Sequence, residues 1–153
     1  MAGTLEHVFE VDILGRIADV WQEITKLQGV QRAYFEHVLV ADLRPGGALK
    51  YVAAAGGKES IVGEILEIDP PRRLVHTFRF TELADAPSRV TYELRESAGV
   101  VHVTLTHDRF DGETDTFQRV VQGWPTILAR LREVIEKGAP EGAVSDCPAR
   151  TGE

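Results

Sequence analysis

A chain of 153 residues, 43% hydrophobic and 27% charged, has the size and composition of one globular domain with a core of its own. Its formal charge of −7, with no dense basic run, excludes a nucleic-acid surface, and no apolar stretch approaches the roughly 20 residues of a membrane-spanning helix. The single cysteine, Cys147, cannot form an internal disulfide, and the N-terminus opens on a charged alternating pattern instead of a secretory signal, so a cytoplasmic protein is expected.

From Leu5 to Asp12 the chain alternates, with Leu5, His7, Phe9 and Val11 on one side and Glu6, Glu10 and Asp12 on the other. This predicts a half-buried strand. Ile17, Val20, Trp21 and Ile24 recur at helical spacing and predict a short helix over Ile17 to Thr25; a second short helix is expected over Val30 to Phe35. From His37 the pattern turns to strands: HVLVADL, the turn Arg44-Pro45-Gly46-Gly47, then ALKYVAA, a second turn at Gly56-Gly57, and SIVGEILEID ended by Pro70-Pro71. Leu74, His76, Phe78 and Phe80 alternate in the next strand, Val90, Tyr92 and Leu94 in the one after it, and Val101, Val103, Leu105 and His107 in the last. The phase of the strand from Ser60 to Asp69 stays open between two readings. If Val62, Leu66 and Ile68 face inward, so does Glu64; if Ile61 and Ile65 do, so does Glu67.

The segment Thr114 to Lys137 predicts the long helix that organises the rest. Phe117, Val120, Val121, Trp124, Ile127, Leu128, Leu131, Val134 and Ile135 repeat at three-four spacing, with Arg119, Gln122, Arg130, Arg132, Glu133 and Glu136 mostly turned away. Thr114 and Asp115 are its cap candidates. Pro125 removes one backbone hydrogen bond at Val121, so a kink or a break near Gly123 is expected. The residues from 139 to 153 are small and polar and are read as a tail outside a single domain spanning 1–138.

Several stretches taken in order, VWQEIT, DLRPGGALKY, GEILEIDPPRRLVHTF, VTLTHDRF and the QGW followed by Leu128 and Leu131, resemble the activator-of-heat-shock-protein-ATPase homologue family of the START-like, SRPBCC superfamily. The resemblance implies an α+β helix-grip fold, in which a curved antiparallel sheet of about seven strands wraps around the long C-terminal helix, with two short helices after the first strand. It also implies an elongated cavity between sheet and helix, of the sort that takes lipids, polyketides or other apolar molecules. Fold similarity alone transfers no chemistry.

Alternation then predicts the side chains that reach such a cavity: His7, Phe9, Tyr51, His76, Phe78, Tyr92 and His107 from the sheet, and Phe117, Val121, Trp124 and Leu128 from the helix. The inward histidines sit on separate strands without a paired motif, so they read first as core-capping residues; no metal and no cofactor are expected. His76, Tyr92 and Glu64 are the catalytic candidates, as acid or base groups whose pKa a pocket would shift. The expected function is binding of an apolar or aromatic small molecule. A polyketide cyclase or dehydratase type of enzyme ranks second, and a co-chaperone-like interaction module third. A homodimer is compatible with the sequence, and neither a nucleic acid nor a membrane is expected as partner.

Overall fold

The computed structural model describes residues 5–27, 30–31 and 37–137. Strand β1 (Glu6–Leu14) leads into helix α1 (Ile17–Thr25) and the two-residue strand β2 (Val30–Gln31). A meander follows: β3 (His37–Ala41), β4 (Ala48–Ala53), β5 (Glu59–Asp69), β6 (Arg73–Phe80), β7 (Ser88–Ser97) and β8 (Val100–Asp108). Helix α2 (Asp115–Glu136) closes the described chain. The strands form one antiparallel sheet in the order β1-β8-β7-β6-β5-β4-β3-β2, so the first strand returns to pair with the last. This is the predicted helix-grip architecture.

The two sheet faces follow from the period-two alternation of the strands. Ile13, Leu49, Tyr51, Leu74, Phe78, Val90, Tyr92, Leu94, Val101, Val103 and Leu105 are buried on the face that meets α2. The opposite face carries cross-strand charge pairs, including Arg73 with Glu67 and Glu93, and His102 with Glu10 and Asp12. From α2 the buried residues are Thr116, Val120, Trp124, Ile127, Leu128 and Leu131, one stripe along the helix.

Turn chemistry holds the meander in register. Gly47 ends the Pro45-Gly46 turn, and a Cβ there would lie 2.0 Å from the Asp42 carbonyl oxygen, so the chain passes too close for any other residue. The cap of α2 is Thr114, whose hydroxyl accepts from the Phe117 amide at 3.2 Å. A second anchor was not expected from the sequence: Asp85, in the β6–β7 loop, accepts from the amide of Thr116 at 3.0 Å and from its hydroxyl at 2.7 Å. A carboxylate placed there satisfies an orphan amide and favours the positive end of the helix.

Two expectations change and one open question closes. Val30–Gln31 form strand β2 paired with β3, so the predicted second helix does not begin there, and residues 32–35 of that prediction lie outside the described residues. The break near Gly123 is absent: α2 runs as one helix through Pro125. Pro125 and Val121 both lie on the exposed side, where water can take the carbonyl the proline leaves unbonded. The open phase of β5 resolves with Ile61 opposite Phe80 and Ile65 opposite His76, both on the core face. A register shift between Ile65 and Glu67 then resets the alternation, so Ile68 faces inward again and Glu67 turns out to Arg73 at 3.1 Å.

Candidate functional site

The space between sheet and helix is a partly open cavity of about 240 Å³. Its walls are His37 from β3, Tyr51 from β4, Ile61 from β5, Phe78 and Phe80 from β6, and Arg119, Val120, Gly123, Trp124 and Ile127 from α2. Aromatic and aliphatic surfaces dominate, with polar groups confined to Tyr51, His37 and Arg119. Phe78 and Phe80 meet edge to face at 5.0 Å, and Phe78 lies 6.1 Å from Trp124, so these rings brace one another. Gly123 contributes the remaining volume: a Cβ built on it would meet nothing within 4 Å.

Trp124 is fixed from behind by a relay of hydrogen bonds. Its indole N–H donates to Nδ1 of His107 at 2.9 Å, which leaves Nε2 of that ring as the protonated nitrogen donating to the Ser88 hydroxyl at 2.6 Å. The Ser88 hydroxyl in turn donates to the Phe78 carbonyl at 3.2 Å. The relay needs neutral histidine, and burial, aided by His76 and His7 nearby, lowers the His107 pKa to about 3. His107 therefore holds a cavity wall in place.

His76 is also wholly buried. Its Nδ1–H donates to the Thr77 carbonyl at 2.7 Å, and burial, partly opposed by that bond, lowers its pKa to about 4. Tyr92 lies 6.3 Å from it, ring to ring, and edge-on to Trp124 at 6.1 Å. Burial pushes the phenols of Tyr51 and Tyr92 upward, so neither is a phenolate at neutral pH.

Of the residues proposed from sequence, Tyr51, Phe78 and Trp124 line this cavity. His76, Tyr92 and His107 lie in solid core beyond its lining. His7 stacks on Phe117 at 4.3 Å, bonds the Phe117 carbonyl through Nε2 and sits edge-on to Phe110, forming an aromatic plug near the start of α2. Phe9 and Leu128 line a separate open groove of about 1220 Å³ between β1 and α2, rimmed by Arg132, Glu133, Glu136 and Lys137. That groove is larger, more open and has a mixed polar and apolar lining, whereas the smaller cavity is lined almost entirely by apolar surface, the better setting for an apolar ligand.

Two residues need correction. Val121 is 40% exposed and faces away from the cavity, because neighbouring Val120 takes the inward position and consecutive helical residues point about 100° apart. Glu64 is exposed on the outer face, opposite Ala48, and is no base in a pocket. His76, Tyr92 and Glu64 accordingly do not converge on one space. The sequence reading does not include His37, Ile61, Phe80, Arg119, Val120, Gly123 or Ile127; Val120 and Ile127 carry a signal in the apolar stripe of α2, whereas the charge of Arg119 points to the outer face. Among the described residues no group of three or more His, Cys, Asp or Glu could hold a metal ion, and no helix is long and apolar enough to cross a membrane.

Similar folds occur among solved structures. CalU16 from Micromonospora echinospora is 22% identical, with a TM-score of 0.69 over 90% of this chain and 78% of its own. PFC0360w, an HSP90 activator from Plasmodium falciparum, is 21% identical, with a TM-score of 0.71 over 86% of this chain and 96% of its own. The Aha1 dimer from Colwellia psychrerythraea is 15% identical, with a TM-score of 0.70 over 88% and 98%. At these identities the likeness is one of fold. No curated protein matches the chain in sequence. The family described as Activator of Hsp90 ATPase homolog 1-like protein matches residues 16–136, most of the domain, and the chain belongs to that family.

Proposed function

We propose that this domain binds a small apolar or aromatic molecule between β4–β6 and α2. The observation that carries the reading is the apolar cavity of about 240 Å³ walled by Tyr51, Phe78, Phe80 and Trp124. An apolar space of about 150 Å³ is enough to hold benzene, and drug-sized sites begin near 300 Å³, so the natural occupant is a compact molecule of one or two rings. A long lipid chain exceeds that volume. The Trp124–His107–Ser88 relay supports the same reading, since it spends buried hydrogen bonds on keeping one wall rigid.

The test is thermal unfolding with indole and naphthol. A ligand at a hundredfold excess over its Kd adds about 2.7 kcal/mol, roughly 8 °C for a domain of this size. Gly123→Leu fills the cavity from the helix side and should cancel the shift while the variant stays folded. No stabilisation by any compact aromatic would remove the reading.

An enzyme of the cyclase or dehydratase kind finds less support, because His76 and Tyr92 lie beyond the cavity lining and Glu64 is on the outer face. A chaperone-directed role rests on the family and on the Plasmodium falciparum neighbour being named an HSP90 activator. It predicts stimulation of a chaperone ATPase that persists in Gly123→Leu; an unchanged ATPase rate would dispose of it. A homodimer, as in the Colwellia psychrerythraea protein, is checked by sedimentation.

A further inference from the structure

We propose that the ligand is an apolar aromatic monocarboxylic acid whose carboxylate pairs with Arg119 at the cavity mouth, an assignment that rests on the binding reading above. Among the residues lining the cavity, Arg119 alone carries a permanent charge. Its guanidinium lies 4.8 Å over the Phe80 ring, itself a cavity wall, while the side chain is 45% exposed. The charge therefore stands where a bound molecule passes from apolar walls to solvent.

The donors are not used up. Nη1 donates to Glu82 at 2.9 Å, and no other hydrogen bond from this guanidinium is made among the described residues. A guanidinium carries five N–H groups in a planar fork that matches a carboxylate, which leaves room for a second anion. Glu82 is shared with Lys58, 3.6 Å away, so Lys58, Arg119 and Glu82 together leave one positive charge in excess. Stacking on Phe80 also holds the guanidinium in one orientation and lowers the cost of drying it. A neutral ligand would cover part of this charge without compensating it, and a cationic one would be repelled. An aromatic acid satisfies both halves of the site, the ring among Phe78, Trp124 and Ile127 and the carboxylate at the fork.

Isothermal titration of naphthoate and of its neutral isostere naphthamide tests the assignment. In the unsubstituted protein, naphthoate should bind about tenfold more tightly, near the lower end of what a charge-assisted hydrogen bond contributes. Arg119→Gln should remove that preference by weakening naphthoate alone, and Gly123→Leu should weaken both. Equal affinity for acid and amide, or a preference that survives in Arg119→Gln, overturns the carboxylate assignment and leaves the apolar cavity standing. Failure of both probes to bind the unsubstituted protein overturns the two together.

Discussion

Tyr92 presents a hydroxyl to the apolar core and His76 an unprotonated ring nitrogen, and neither atom has a hydrogen-bond partner among the described residues. The two are complementary, one a donor and the other an acceptor, since Nδ1–H of His76 is already committed to Thr77. A buried polar atom left unbonded costs about 1–3 kcal/mol, and removing it while keeping the shape can recover part of that. Tyr92→Phe should therefore raise stability by about 1 kcal/mol in urea unfolding. A loss of similar size would show that the hydroxyl is bonded in solution and that the core behind Trp124 is polar by design. Tyr92 does not line the cavity, so this change should leave ligand affinity as it was.

Helix α2 carries Gly123 and Pro125 within three residues, and each opposes helix formation, by about 1 and about 3 kcal/mol respectively. What offsets them is burial of Val120, Trp124, Ile127, Leu128 and Leu131 against the sheet. The two have different reasons to be there. Gly123 faces open cavity, so Gly123→Ala should gain about 0.5–1 kcal/mol and shrink the binding space, reducing ligand affinity. Pro125 is exposed, and Pro125→Ala, by restoring the bond to Val121, should raise stability by about 1–3 kcal/mol; a neutral result would mean that water already satisfies that carbonyl. The helix itself was legible in the sequence because its apolar stripe is long and capped by Thr114. The finer choice between Val120 and Val121 was not, since both are apolar and only the position of the sheet decides which turns inward. Strand β5 failed for a related reason. Its sequence suits either phase, and the register shift at Ile65–Glu67 puts both glutamates outside, which alternation alone cannot produce. Arg119 was hidden because a charge beside an apolar stripe normally marks solvent, and only the Phe80 ring beneath it reveals the mouth of a cavity.

At the scale of the whole molecule, the sheet can close on α2 only with two histidines neutral inside it. Burial lowers His76 from its ordinary value of 6.5 to about 4 and His107 to about 3. The unfolded chain takes up a proton at each below about pH 6.5, while the folded chain does not, so the unfolded state binds more protons in that range. Stability from these groups is thus fully present above about pH 6.5 and falls as the pH drops towards about 4, where His76 begins to protonate in place. Between pH 6 and pH 5 the two together should cost the fold about 2 kcal/mol, read as a shift in the urea midpoint. His107→Gln can still accept from Trp124 and donate to Ser88, so it keeps the relay and removes the proton site. It should show about half the pH dependence of the unsubstituted protein, together with an unchanged aromatic ligand affinity. An undiminished slope in His107→Gln would mean that His107 does not carry the acid sensitivity, and lost ligand affinity would mean that the relay needs the imidazole itself to keep Trp124 in the cavity wall.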